Sequence, residues 1–361
     1  MARLENSKLN HEEYMADRFI LNSYPRFLFL ELTRNCNLHC SMCRPYNLFK
    51  NEWFMSDEVL GRVSEQLFGN VEVVDLRGFG ESTLDSRLLN IASDLEKQGV
   101  RTYLFSNLCT QNLEFWKKLG QTGTKVAISI ETADKEKYRK IRRGGDIRVF
   151  KKNVISLVQN AINRPYFSVV VSDWNFADLV KLVFFAKECG ICKIQLNPIS
   201  YNKSEELLSR YGLNKYNFEE VYVILQKLQE CAIENGVQIE IAANLCNENN
   251  VIKKKCLHPW SYVFVKYDGS VGFCDHLARV EDSIIGNIME KDFMDIWNSP
   301  KFIHLRKIHC FKEFDELTNK GIECAWCEKN RYANCENEIE PQIYPLSLKK
   351  YIREVRRCYE K

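Results

Sequence analysis

Thr33-Arg-Asn-Cys36-Asn-Leu-His-Cys40-Ser-Met-Cys43 sets three thiols in C-x3-C-x2-C spacing on one short segment. A structural zinc site or a fully ligated iron–sulfur site takes four protein ligands, so three leave one metal position open for an outside ligand. An open position is what catalysis at a metal requires. The same spacing also fits a zinc knuckle that borrows a further ligand such as His39 or His258.

A second group of thiols lies far downstream. Of the fifteen cysteines, six fall between Cys256 and Cys335. Cys256 and Cys274 flank a hairpin expected to turn at Asp268-Gly269, and it faces a knuckle made by Cys324-Ala-Trp-Cys327. Four thiolates from two such pieces can close one tetrahedral zinc ribbon or one cuboidal iron–sulfur cluster. The opening MARLENSKLN lacks the apolar core of a signal peptide, so this many cysteines points to metal or redox chemistry rather than a disulfide framework.

The elements that must carry these thiols can be read from periodicity. Short β-branched or aromatic runs at Phe27–Thr33, Val71–Arg77, Arg101–Ser106, Lys125–Ile130, Tyr166–Val171 and Lys193–Leu196 alternate with amphipathic helical patterns, as in βα units around a parallel sheet. One helix opens at Ser56 with Asp57 and Glu58 in its first turn; another carries Leu179, Leu182, Val183 and Ala186 on one face and stops at Gly190. Asn217 caps a helix running to Gly236, and an apolar alternation at Val237–Ile241 reads as a bridge out of the barrel. With 361 residues, 45% hydrophobic and 27% charged, the chain has room for one barrel-sized domain and an appendix. A net charge of +3 is too weak to argue for nucleic acid or membrane, and no apolar run is long enough to span a bilayer, so a soluble cytoplasmic protein is expected.

The first cysteine segment resembles the signature of the radical S-adenosylmethionine (radical SAM) superfamily. That resemblance implies a four-iron cluster on Cys36, Cys40 and Cys43, with SAM chelating the fourth iron and being cleaved on reduction to a 5′-deoxyadenosyl radical. The family usually has an aromatic residue before the third cysteine, where this chain has Met42, which can pack against an adenine face. Further likeness follows strand by strand. Gly78, Gly80 and Glu81 look like the family's Gly-Gly-Glu loop; Ser106-Asn107 is similar to its Thr-Asn position; Ser129-Ile-Glu131 stands where relatives carry Ser-Ile-Asp; and Tyr138 to Gly145, with Arg142, is close to a recurrent family phrase. All are implied to lie beside SAM, at the C-terminal strand ends where parallel barrels hold their sites.

Cys256-Leu-His-Pro-Trp260, Tyr267-Asp268-Gly269 to Cys274, Gly286-Asn287-Ile288 and Ile296-Trp297-Asn298 resemble the SPASM domain, a C-terminal auxiliary-cluster module of many radical SAM enzymes. Its later cysteines depart here: Cys327 is followed by Cys335 and then nothing until Cys358. The expectation is one auxiliary four-iron cluster on Cys256, Cys274, Cys324 and Cys327, with Cys310, Cys335 and Cys358 unassigned. Cys109, Cys189, Cys192 and Cys231 are expected to pack as small hydrophobes.

The expected architecture is α/β: an N-terminal extension at 1–24, a partial (β/α)6 barrel at 25–200, a helical bridge at 201–255, a small cysteine-rich SPASM-like domain at 256–340 and a basic C-terminal helix at 341–361. The resemblance implies an oxidoreductase acting on a small polar, sugar-like substrate, with the auxiliary cluster relaying an electron. It also implies an external one-electron reductant such as flavodoxin or ferredoxin, and no nucleic-acid or membrane partner. The few residues before the first strand leave no room for a fused peptide-recognition domain, although a peptide maturase is a second reading. A radical epimerase is a third, with Cys246 as hydrogen donor. A non-catalytic iron–sulfur or zinc scaffold would explain the cysteines but not the series at the strand ends.

Overall fold

The computed structural model describes residues 3–43, 53–110, 112–198, 216–241, 255–274, 281–320 and 346–359, with single positions 213, 277, 322 and 324. Cys246, Cys327 and Cys335 lie outside the described residues, as does the side chain of Cys358.

One sheet organises the chain. Its strands are β1 (Phe27–Leu30), β2 (Val73–Asp75), β3 (Arg101–Ser106), β4 (Lys125–Ser129), β5 (Tyr166–Val171), β6 (Lys193–Pro198), β7 (Gln238–Ile241), β8 (Tyr262–Val265), β9 (Ser270–Gly272), β10 (Ile284–Asn287) and β11 (Leu346–Ser347). They run in the order β10-β9-β8-β1-β2-β3-β4-β5-β6-β7-β11. Every pairing from β8 through β1 to β7 is parallel. The six expected strands are present, and the sheet goes further in both directions. The alternation at Val237–Ile241 does not leave the barrel; it contributes β7, which continues the parallel sheet on β6. On the other edge, β8 from the cysteine-rich region lies parallel on β1, with Phe27 opposite Tyr262 and Leu30 opposite Val265. The sheet thus crosses the expected boundary between barrel and auxiliary region.

Side chains alternate along each strand, so each strand has two faces. Leu28, Leu30, Val74, Leu104, Val126, Ile128, Phe167, Val169, Ile194 and Leu196 point to the helices and join the main core. Burial of each such side chain contributes roughly 1.5–3 kcal/mol. Phe27, Phe29, Val73, Tyr262 and Phe264 form a separate cluster on the opposite face, against Phe79 and Tyr103. The helices start where their caps dictate. Ser56 accepts the Val59 N–H at 3.2 Å, Asn112 that of Phe115 at 3.0 Å, and Asn217 with Glu220 forms a reciprocal capping box.

The N-terminal extension contains a helix, Arg3–Met15, whose buried residues include Asn6, Asn10 and Glu13. Asn10 donates to the Trp260 carbonyl at 2.6 Å, and Glu13 accepts from Ser23 Oγ at 2.5 Å and Asn22 N–H at 2.7 Å. Hydrogen bonds, not an apolar stripe, dock it across the start of the auxiliary region. Among the described residues no helix is long and apolar enough to cross a membrane.

Candidate active site

The cysteine segment leaves β1 and is gripped by the ends of three later strands. Behind β2, the Glu81 N–H donates to the Asn35 carbonyl at 2.7 Å. From β3, Asn107 Nδ2 reaches Asn37 Oδ1 at 2.9 Å and Cys36 Sγ at 3.9 Å, while Asn37 Nδ2 donates to the Cys109 carbonyl at 3.3 Å. Beyond β4, His39 N–H donates to Arg143 and Ser41 N–H to Ile141, each at 2.9 Å. Glu81, Asn107 and the Ile141–Arg143 segment, which follow strands two, three and four, therefore meet around one loop.

Close approach explains the glycines. A Cβ on Gly80 would sit 2.3 Å from the Asn35 carbonyl oxygen and 2.4 Å from that of Thr33, and one on Gly78 would sit 2.4 Å from Glu31 Cγ. The bare backbone lets the β2 loop lie directly on the cysteine segment. Glu81 is wholly internal: Oε1 accepts from Thr83 Oγ1 and Ser106 Oγ, both at 2.7 Å, and Oε2 accepts the Asn107 N–H at 2.8 Å. Burial raises its pKa against the pull of these donors. Ser106 shares the parity of Leu104, which packs in the helix-side core. Glu81 and Ser106 thus brace the loop from behind. Glu131 and Arg142 form a buried ion pair with two hydrogen bonds, at 2.6 and 2.7 Å, and Ser129 is half-buried at the end of β4.

The thiols themselves differ in exposure: Cys36 and Cys40 are partly covered and Cys43 is exposed. Burial pushes Cys40 up to about 12, only partly opposed by the nearby Arg142 cation, and the neighbouring Cys43 and Cys36 raise it further. Such a thiol stays protonated until a metal takes the proton's place. Among the described residues no three ligating side chains converge as a single-ion site. A four-iron cluster asks for something else, one thiolate at each of three iron corners.

Sequence reasoning missed two residues beside this loop. Glu31 is fully buried, accepts the Phe79 N–H at 2.9 Å with Oε1, and has no partner for Oε2; burial raises its pKa. Asn35 is 8% exposed, and neither end of its amide has a hydrogen-bond partner. Orphaned polar atoms beside a thiol loop fit a site made for a polar cofactor. A signal for Glu31 was present: it is the one charge in the run Phe27-Leu-Phe-Leu-Glu-Leu32.

In the auxiliary region, β8 and β9 form the expected hairpin, with Gly269 at φ +83 and the Ser270 N–H donating to Asp268 at 3.0 Å. Cys256 stands before it and accepts the His258 N–H at 3.4 Å, Cys274 follows it and is buried, and Cys324 is half-buried. Cys310 lies elsewhere, donating to Asp17 at 3.2 Å. Cys189 packs in the core as expected. Cys109, Cys192 and Cys231 are partly covered and keep polar contacts, with Tyr138 at 3.1 Å, Arg164 at 3.7 Å and Asn235 at 3.6 Å. Cys109 and Cys231 pack against the main core, as expected.

The site is thus a three-thiol loop at the C-terminal edge of a parallel β/α sheet, with a thiol-bearing hairpin joined to the same sheet. The Radical SAM superfamily model matches residues 30–186, and the SPASM iron–sulfur cluster-binding domain matches 256–336. The chain belongs to the radical SAM enzymes that carry a C-terminal SPASM domain, and its cofactors are 4Fe-4S clusters and SAM. It is 24% identical over 348 residues to the AdoMet-dependent heme synthase of Methanosarcina barkeri, covering 90% of this chain and 97% of that protein. It is 22% identical over 323 residues to the tungsten-containing aldehyde ferredoxin oxidoreductase cofactor-modifying protein of Pyrococcus furiosus, covering 78% and 83%. Among solved structures, Streptococcus suis SuiB bound to S-adenosylmethionine superimposes with a TM-score of 0.63 at 17% identity, over 84% of this chain and 72% of SuiB. The enzyme anSMEcpe with bound AdoMet gives 0.61 at 19% identity, over 91% and 95%.

Proposed function

We propose that this radical SAM enzyme oxidises a small polar substrate by two electrons. The SAM-cleaving cluster would be held by Cys36, Cys40 and Cys43, and one auxiliary cluster by Cys256, Cys274, Cys324 and Cys327. Bound there, the clusters supply reductive cleavage of SAM to a 5′-deoxyadenosyl radical and a sink for one electron; a flavodoxin or ferredoxin would supply the reductant.

The observation that carries this reading is a set of polar side chains placed among the aromatic residues on the strand face opposite the helices. The Arg77 guanidinium lies 4.2 Å over the Phe105 ring and 5.0 Å over Phe29 and pairs with Asp75. Further round, Asn197 donates to Ser168 Oγ at 3.1 Å and accepts from Gln195 at 3.2 Å. A hydroxylated or charged substrate would meet further donors and acceptors on this face. Gly78, Gly80, Glu81, Ser106, Asn107, Ser129, Glu131 and Arg142 would hold the cysteine loop and SAM in register. With SAM and both clusters bound, the chemistry supplied would be removal of one hydrogen atom, one electron and one proton from the substrate carbon, the electron going to the auxiliary cluster and the proton to solvent, to leave a double bond.

Peptide modification is the second reading, supported by the fold likeness to SuiB bound to its precursor peptide SuiA and to anSMEcpe bound to a peptide. One experiment addresses both: anaerobic incubation with SAM, reductant and candidate substrates, following 5′-deoxyadenosine and substrate mass. A loss of two mass units from a polyol or amino-sugar supports oxidation, and a modified peptide alone overturns the choice of substrate. The variant with Cys36, Cys40 and Cys43 all replaced by Ala is expected to form no 5′-deoxyadenosine while keeping its auxiliary iron.

A further inference from the structure

His309 is the least explained side chain in the auxiliary region. It sits on the helix Pro300–Phe311, is 1% exposed, and neither ring nitrogen has a hydrogen-bond partner. A neutral imidazole carries one N–H and one lone pair, and native interiors rarely leave both unused. Its neighbours are aromatic on two sides, Phe314 at 5.2 Å and Phe273 at 6.5 Å between ring centroids. Neither offers a conventional acceptor.

Its place in the fold is specific. Phe273 is the residue before Cys274, and His258, which is close enough to act on His309 electrostatically, is two residues after Cys256. One turn earlier on the same helix, Arg306 Nε donates to the Pro259 carbonyl at 2.9 Å, tying this helix to the segment that begins with Cys256. The unpartnered imidazole is thus flanked by the chain beside two of the four thiols assigned above.

We infer that His309 donates its ring N–H to a sulfur of the auxiliary cluster and is a positioning residue that sets the cluster's reduction potential. With the four thiols proposed above as the iron ligands, the imidazole is left to the sulfur shell. An N–H aimed at cluster sulfur favours the more negative, reduced state, and does so strongly where water is excluded. The inference rests on the assignment of Cys256 and Cys274 to that cluster.

The test uses the full chain, reconstituted, with Cys36, Cys40 and Cys43 replaced by Ala so that only the auxiliary cluster is seen. Pulsed electron paramagnetic resonance of the reduced cluster is expected to show a weak histidine nitrogen coupling and an exchangeable proton, both absent in His309→Leu. The midpoint potential is expected to shift downward in His309→Leu and to recover in His309→Gln, which keeps an N–H. A cluster in the otherwise unchanged His309 protein with neither coupling overturns the inference, as does the strong coupling of a directly bound nitrogen. That measurement needs no variant at His309, so it decides even if the leucine protein does not fold. Should Cys256→Ser and Cys274→Ser leave the signal intact, the ligand assignment fails and the inference with it, an outcome distinct from a cluster on those thiols that shows no His309 coupling.

Discussion

Arg142 meets Glu131 through two parallel hydrogen bonds, Nε to Oε2 and Nη2 to Oε1, in a pair almost wholly removed from solvent. The carbonyls on either side of Arg142, those of Ile141 and Arg143, receive the backbone N–H groups of Ser41 and His39. The pair therefore fixes the shelf on which the cysteine loop rests. Removing one partner of a buried pair leaves an uncompensated charge and typically costs about 3–5 kcal/mol. Glu131→Ala is expected to lower the melting temperature and speed chelator removal of iron from the first cluster. A melting temperature equal to that of the parent protein would contradict this account.

Gly80→Ala is a sharper test of the loop. The added methyl meets two backbone carbonyls, which have no rotamer to move away with. The expected result is loss of about four irons per chain and of SAM cleavage, with the auxiliary iron retained. Gly61→Ala, where the new Cβ has nothing within 4 Å, serves as the neutral control.

Oxidation and epimerisation differ in deuterated water. Epimerisation through a thiol places one solvent deuterium on the product carbon, whereas oxidation leaves none there. No incorporation is expected; incorporation that disappears in Cys246→Ala would establish the epimerase.

Alkaline stability reports on Cys189. Burial pushes its thiol up to about 12 from an ordinary value of 9.0. In the unfolded chain it ionises near pH 9, while in the folded protein it stays neutral. Its contribution is therefore complete below pH 9 and is lost as pH rises towards 12. Urea unfolding of the parent protein and Cys189→Val, compared at pH 8 and pH 10.5, is expected to show the parent losing more stability. Parallel losses would place the alkaline sensitivity elsewhere.

What the sequence made legible was local. Period-two runs marked β1 to β6, and the spacing of Cys36, Cys40 and Cys43 marked the loop, because both signals lie within a few neighbouring residues. The pairing of β8 with β1 was not legible, since nothing local in Tyr262–Val265 specifies a partner near Phe27. The helix Arg3–Met15 was missed because Asn6, Asn10 and Glu13 look like surface residues; they are buried and satisfied by backbone groups brought from elsewhere. Glu81 was legible as an acidic position in the loop after β2; that its carboxylate accepts from Thr83, Ser106 and Asn107 was not. Residue type announced a carboxylate there, but only the fold could say what it faces.

The β1–β8 pairing has a consequence for biosynthesis. While the ribosome is still translating the middle of the chain, Phe27–Leu30 can pair with Val73–Asp75 on one side only, because its other neighbour, Tyr262–Val265, has yet to emerge. The nascent sheet carries an open parallel edge, with Phe27 and Phe29 beside it, through most of elongation, and such edges recruit other strands. Truncations ending before Tyr262 should accordingly be poorly soluble, and chaperone capacity during translation, as much as iron supply, should set the yield of soluble protein.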